Sequence, residues 1–286
     1  MSERKISLAL AMLQDHPELA ASTLEQHNAG EVAELLSQIP STYAAPVLQR
    51  MLPQFTARVC RFLAPDTSAA LISPLDNSMI ASILRQMDKK LRNKILEELP
   101  FKARTGCELL LRFSEDTVGA WMTPHVITVT ENSMAKEALN SMKDAEKVIQ
   151  CDFIFVVDRN RSLVGRIHFA DLLRTQPETN VNRLIQRRCQ TLFGRSYLQN
   201  IARHKDWERY DSMPVVNRRQ QFIGVLRHSD LHRGLTQLTT QITSLPGQDP
   251  ASGIFEVYGQ TLLALFQSVG DIIETRSANK GAVKDV

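Results

Sequence analysis

The chain has 286 residues, 43% of them apolar and 23% charged, with a formal net charge of +3. That is globular composition at about two domains' length, and the charge is too small to point to nucleic acid. The sequence lacks a run of about 18 uncharged apolar residues, which excludes a membrane-spanning helix. Four scattered cysteines (Cys60, Cys107, Cys151, Cys189) without a CxxC pair exclude a disulfide framework and a zinc finger on spacing. The N-terminus has a short apolar stretch and no small-residue cleavage site, so a cytoplasmic, soluble protein with reduced thiols is expected.

Charge divides the chain into three. Residues 1–117 carry 13 basic and 14 acidic side chains, residues 118–240 carry 18 and 12, and residues 241–286 carry 3 and 5. The segments therefore hold −1, +6 and −2.

From Pro17 the sequence repeats every 12 residues, with units starting at Pro17, Ala29, Ser41, Pro53, Pro65, Asn77, Lys89 and Phe101. The fifth position reads Ala21, Ala33, Ala45, Ala57, Ala69, Ala81, Asn93 and Thr105. The eighth reads Leu24, Leu36, Leu48, Cys60, Ile72, Leu84, Leu96 and Glu108, and the eleventh is mostly Leu, Ile or Met. Spacings of three are helical, but 12 residues at about 100° each would turn the face by about 120° per unit. The helix must break once per unit, and Pro40, Pro53, Pro65 and Pro100 stand at junctions. The expectation is a solenoid of short helices, with Pro46 and Pro74 shortening or kinking two of them.

The middle segment is one α/β unit written twice. Val156–Gly165 aligns without gaps on Val215–Gly224, and each glycine is followed six residues later by an aspartate, Asp171 or Asp230. In the first copy the pattern predicts a strand over Val126–Val129, a helix from Ser133, and strands over Phe153–Val157 and Leu163–Ile167. In the second it predicts a helix from Ser196 through Arg209, strands over Met213–Val216 and Phe222–Leu226, and a closing helix over Leu231–Leu238. Met122-Thr123-Pro124, the strand–turn–strand and the Gly-to-Asp spacing resemble a tandem pair of CBS domains. With the preceding superhelix and the junction Ser114–Thr123, the chain resembles the cytosolic half of MgtE-type magnesium channels over roughly residues 17–240. The expected architecture is α plus α/β: an all-α superhelical solenoid over 1–117, a tandem CBS pair over 118–178 and 179–240, then linker, amphipathic helix and tail over 241–286.

The resemblance implies an adenine nucleotide between the two copies, with aspartates on the ribose hydroxyls and a hydroxyl residue three after each glycine on phosphate. Here Asp171 and Asp230 are kept, while the hydroxyl positions hold His168 and Arg227. An arginine can pair with phosphate bidentately and a histidine can do so when protonated. The alternative is that both aspartates cap the closing helices. The family also implies magnesium sensing through acidic faces, for which Asp88, Glu97, Glu98, Glu115 and Asp116 are the candidate oxygens. The near-neutral superhelix and the +6 segment argue against it, because opposite charges would pair directly. His228 and His232 have a metal-ligand spacing, but a third ligand and a HExxH glutamate are missing, so solvated histidines are favoured. Arg183, Arg187, Arg188 and Arg195 read as a solvated basic face. Gly253–Glu274 is an amphipathic pattern interrupted by Glu256 and Asp271, and a central acid costs about 2.5–3.5 kcal/mol in lipid, so packing in a dimer or on a partner is favoured.

No nucleophile–base pair, phosphate loop or metal cluster stands out, so an enzyme is not expected. The leading reading is a regulatory or sensor protein that dimerises through its CBS pair and responds to an adenine nucleotide, Mg²⁺ or a partner protein. The alternatives are a scaffold without ligand and a transporter relative that docks on the membrane through its tail.

Overall fold

The computed structural model describes residues 13–143 and 152–243. The amphipathic helix expected over Gly253–Glu274 lies outside them. Of the described residues, 13–104 form one compact unit and 105–243 a second.

The repeat sets the helices of the N-terminal region. They are α1 (Pro17–Leu24), α2 (Ala29–Gln38), α3 (Ser41–Leu48), α4 (Pro53–Cys60), α5 (Pro65–Ile72), α6 (Asn77–Arg85), α7 (Lys89–Glu98) and α8 (Phe101–Leu110). Each begins at the first residue of its repeat. Proline opens α1, α4 and α5, where its missing N–H costs nothing, and Asn28 and Asp88 cap α2 and α7 by accepting from Gly30 and Leu91 N–H at 2.8 and 3.0 Å. Pro46 lies inside α3, whereas Pro74 falls after the end of α5 and interrupts no helix. Within the first unit α1 packs on α3, α2 on α4, α3 on α5, α4 on α6 and α5 on α7, the next-but-one pairing of a tight superhelix. The repeated small and large positions form its seam: Ala33, Ala57, Ala69 and Ala81 are buried beside Leu36, Cys60, Ile72 and Leu84.

In the second unit the two copies share one topology. The first contains β1 (Thr128–Thr130), α10 (Ala135–Lys143), β2 (Phe153–Val157), β3 (Leu163–His168) and α11 (Phe169–Leu173), after a short junction helix α9 (Val118–Trp121). The second contains β4 (Leu192–Phe193), α12 (Leu198–Ile201), β5 (Ser212–Val216), β6 (Phe222–Arg227) and α13 (His228–Thr243). Each sheet has three strands, the first two parallel and the last two antiparallel, with a register shift after Val156 or Val215. The hairpin turns are alike in detail. Asp158 and Asn217 each accept two N–H groups of their own turn, and Arg161 and Gln220 both take positive φ, 64° and 61°.

Three expectations are corrected. The first strand is Thr128–Thr130 rather than Val126–Val129, because Val126 packs against the cluster that joins the copies. The helix expected from Ser196 through Arg209 is α12 followed by a 3₁₀ turn over Lys205–Glu208. The indole of Trp207 donates to the Ile201 carbonyl at 2.8 Å, and extended His204 accepts from Asp206 N–H, so the backbone restarts there. The closing helix of the second copy begins at His228 and runs to Thr243, longer than Leu231–Leu238.

The glycines of the repeated motif serve a crossing. Thr123, ahead of the first copy, pairs with Val225 of β6, and Gln186, ahead of the second, pairs with Arg166 of β3. A Cβ on Gly165 would stand 2.6 Å from the Gln186 carbonyl oxygen, and one on Gly224 2.6 Å from that of Thr123. Both contacts are to backbone, which cannot swing aside. Gly224→Ala is therefore expected to destabilise the chain by about 1–3 kcal/mol, the range for overpacking. Urea denaturation checks it, and unchanged stability would show that the crossing is loose.

Candidate functional site

The face between the copies is built from alternation on β2. Ile154 and Val156 point into the first copy's own core with Val129, Ala138, Ile167 and Leu172. Phe153, Phe155 and Val157 point the other way and pack on Phe222 and Val225 of the second copy, with Phe155 stacked on Phe222 at 5.1 Å. On β3, Arg166 pairs with Phe155 and His168 with Phe153, so both basic side chains share that inter-copy face.

Arg166 is the group that sequence reasoning missed. It is 4% exposed. Its guanidinium carbon lies 4.3 Å from the Phe153 ring centre and 3.7 Å from that of Tyr210, a residue of the second copy. Its Nε makes no hydrogen bond, and no carboxylate pairs with the guanidinium among the described residues. Two aromatic faces attract a desolvated cation by about 2 kcal/mol or more, yet a buried charge without a counter-ion costs several kcal/mol. An anion that reached Arg166 would supply the partner that the described residues do not. The sequence signal was present only as a basic residue in the middle of an apolar strand.

The candidates from sequence are placed unequally. His168 is half-buried, stands edge-on to Phe153 at 5.1 Å and caps α11 by accepting from Ala170 N–H through Nδ1 at 3.1 Å. His168, not Asp171, is thus the cap of that helix, and the Asp171 carboxylate is exposed in its first turn. In the second copy the equivalent aspartate is spent internally. Asp230 is fully buried, and Arg227 grips it bidentately, Nε to Oδ2 at 2.6 Å and Nη2 to Oδ1 at 3.1 Å. Arg233 adds a third approach at 3.5 Å. Val225 stands where the first copy has Arg166.

The acidic candidates fall in both units, Asp88, Glu97 and Glu98 in the first and Glu115 and Asp116 in the second. Asp88 caps α7, and its bond from Leu91 N–H holds its carboxyl below the ordinary range. A depressed folded pKa makes that contribution present above the unfolded value and lost as the pH falls through the folded one. Glu97 and Glu98 are exposed at the other end of the same helix, about 13 Å away at 1.5 Å per residue. Glu115 accepts from the Gln237 amide at 3.0 Å, and its carbonyl accepts from the Trp121 indole at 2.7 Å. Asp116 keeps one buried oxygen, Oδ1, without a hydrogen-bond partner. No group of three or more potential ligands among His, Cys, Asp and Glu assembles among the described residues. Arg183, Arg187, Arg188 and Arg195 are exposed, as a solvated face requires.

Comparison with known proteins agrees with this architecture. Residues 15–116 match the family model of the MgtE intracellular N domain, and residues 118–178 match that of the CBS domain. A magnesium transporter MgtE of Thermus thermophilus is 25% identical over 169 residues, 57% of this chain and 37% of that protein. Another, of Bacillus subtilis, is 26% identical over 127 residues, 43% of this chain and 28% of the relative. These matches thus span well under half the length of either curated relative. A crystal structure of the soluble part of a magnesium transporter shares the fold, with a TM-score of 0.59 and 17% identity over 83% of this chain and 99% of that one. No helix among the described residues is long and apolar enough to cross a membrane. Both matched modules are regulatory and non-catalytic in kind.

Proposed function

We propose that this chain, which resembles the N-domain-plus-CBS region of MgtE-type magnesium transporters, is a regulatory module whose CBS pair takes an adenine nucleotide between its two copies. The observation that carries this reading is Arg166, buried on the inter-copy face with an unsatisfied Nε. In this reading Arg166 meets a phosphate oxygen, His168 adds a second donor when protonated, and the exposed Asp171 accepts from the ribose hydroxyls. Arg227 and Asp230 neutralise each other in the second copy, so a single nucleotide per chain is the expected stoichiometry. In this reading magnesium enters with the nucleotide's phosphates. The module works as a homodimer through its CBS pair, in the cytoplasm, and its response is relayed to a partner protein connected with magnesium transport.

Titration calorimetry of the full chain with adenosine, AMP, ADP and ATP tests the reading. Heat saturating near one nucleotide per chain, with affinity rising with phosphate number, is the expected result. Absence of heat with every nucleotide at millimolar concentration would favour a ligand-free scaffold.

A further inference from the structure

We propose that His228 and His232 form a binding site for a late first-row divalent cation of the Zn²⁺, Ni²⁺ or Cu²⁺ class, separate from the inter-copy face. The two residues occupy successive turns at the start of α13, and their Nε2 atoms lie 3.1 Å apart. Two nitrogens held about 2.05 Å from one metal, at 90° to 109°, are about 2.9–3.4 Å apart. At that distance the two rings share a hydrogen bond, one Nε2–H donating to the other Nε2, and a cation that displaced this proton would find the pair at chelate separation.

One ligand is fixed and the other is free to adjust. The His228 ring lies flat against the Trp207 indole, with centroids 5.0 Å apart and planes 15° apart. That indole is itself held by its bond to the Ile201 carbonyl, and the His228 backbone N–H donates to the Asp211 carbonyl at 2.8 Å. His232 is exposed, and its ring is tilted 58° from that of His228. Exposure leaves the His232 ring room to turn toward a cation held by His228. Water would complete the coordination.

The surroundings decide which cation fits. The nearest acid along the helix, Asp230, is buried and bound to Arg227 and Arg233, so it offers no charge to an incoming ion. Affinity must come from the imidazole nitrogens. Imidazole suits Zn²⁺, Ni²⁺ and Cu²⁺, whereas Mg²⁺ demands oxygen ligands. The site would thus tell these metals apart from magnesium.

The test is calorimetry of the tag-free full chain with Zn²⁺, alongside Trp fluorescence under Ni²⁺. The proposal expects one Zn²⁺ per chain, quenching by Ni²⁺ and no response to Mg²⁺ at the same site. His232→Ala should weaken Zn²⁺ binding by at least about tenfold, since even outer-shell losses cost that much. His228→Phe keeps a ring against Trp207 while removing the donor, and should weaken binding equally. Wild-type protein that takes no Zn²⁺, or either variant titrating like the wild type, would overturn the proposal.

Discussion

Asp230→Ala is expected to destabilise the chain by about 3 kcal/mol, while Asp171→Ala should change stability by less than about 0.5 kcal/mol. The two aspartates occupy equivalent places in the repeated motif, so the contrast isolates environment from sequence. Asp230 has no exposed surface and balances Arg227 and Arg233. Removing it leaves two cations facing a pocket they were drawn into. The cost falls at the lower end of the range for breaking a buried pair, because the arginine side chains keep 15% and 33% of their exposure and can turn outward. Asp171 is exposed and its helix is capped by His168, so its loss removes little. Urea denaturation of both variants measures the difference. Equal, small effects would mean that the Arg227–Asp230 pair is not structural.

Trp121→Ala should cost about 3–5 kcal/mol, the range for truncating a large aromatic in a core. Trp121 is fully buried, and its indole N–H donates to the Glu115 carbonyl at 2.7 Å. The ring fills space left by Gly234 of α13, where a Cβ would stand 2.9 Å from it. The same junction segment is bound to the second copy through the backbone: Val118 and Gly119 N–H donate to the Ser196 and Gly194 carbonyls, and Leu198 N–H to that of Asp116. Deleting the ring opens a cavity where these bonds converge. A thermal melt of the variant, followed by near-ultraviolet circular dichroism, should show the loss in the second unit. A melt unchanged from the wild type would contradict that role for the junction.

The helical third was legible because its information is local. The 12-residue period, the alanine slot and the junction prolines each act within a turn or two, and all eight helix starts follow from them. The paired α/β copies were legible from repetition. What could not be read was which partner each polar side chain finds. The stretch from Ser196 to Arg209 has helical periodicity, yet the Trp207 indole claims the Ile201 carbonyl and ends the helix. His168 and Arg227 sit at the same motif position, but one caps a helix and the other closes on an aspartate. Arg166 looked like an ordinary strand residue until Tyr210, 44 positions later, was seen to cover it.

Arg166→Leu separates the part Arg166 plays in holding a nucleotide from its part in the ligand-free fold. Leucine keeps an apolar side chain against Phe153 and Tyr210, and replacing a buried charge that no described carboxylate pairs with by an apolar group is expected to leave the ligand-free protein as stable or more so. With nucleotide at about 100 times its dissociation constant, wild-type protein should gain about 2.7 kcal/mol of stability. Thermal denaturation of the two proteins with and without ATP reads both quantities at once. The variant is expected to melt no lower than the wild type without ATP and to lose the stabilisation by ATP. A variant that ATP stabilises as much as the wild type would contradict it.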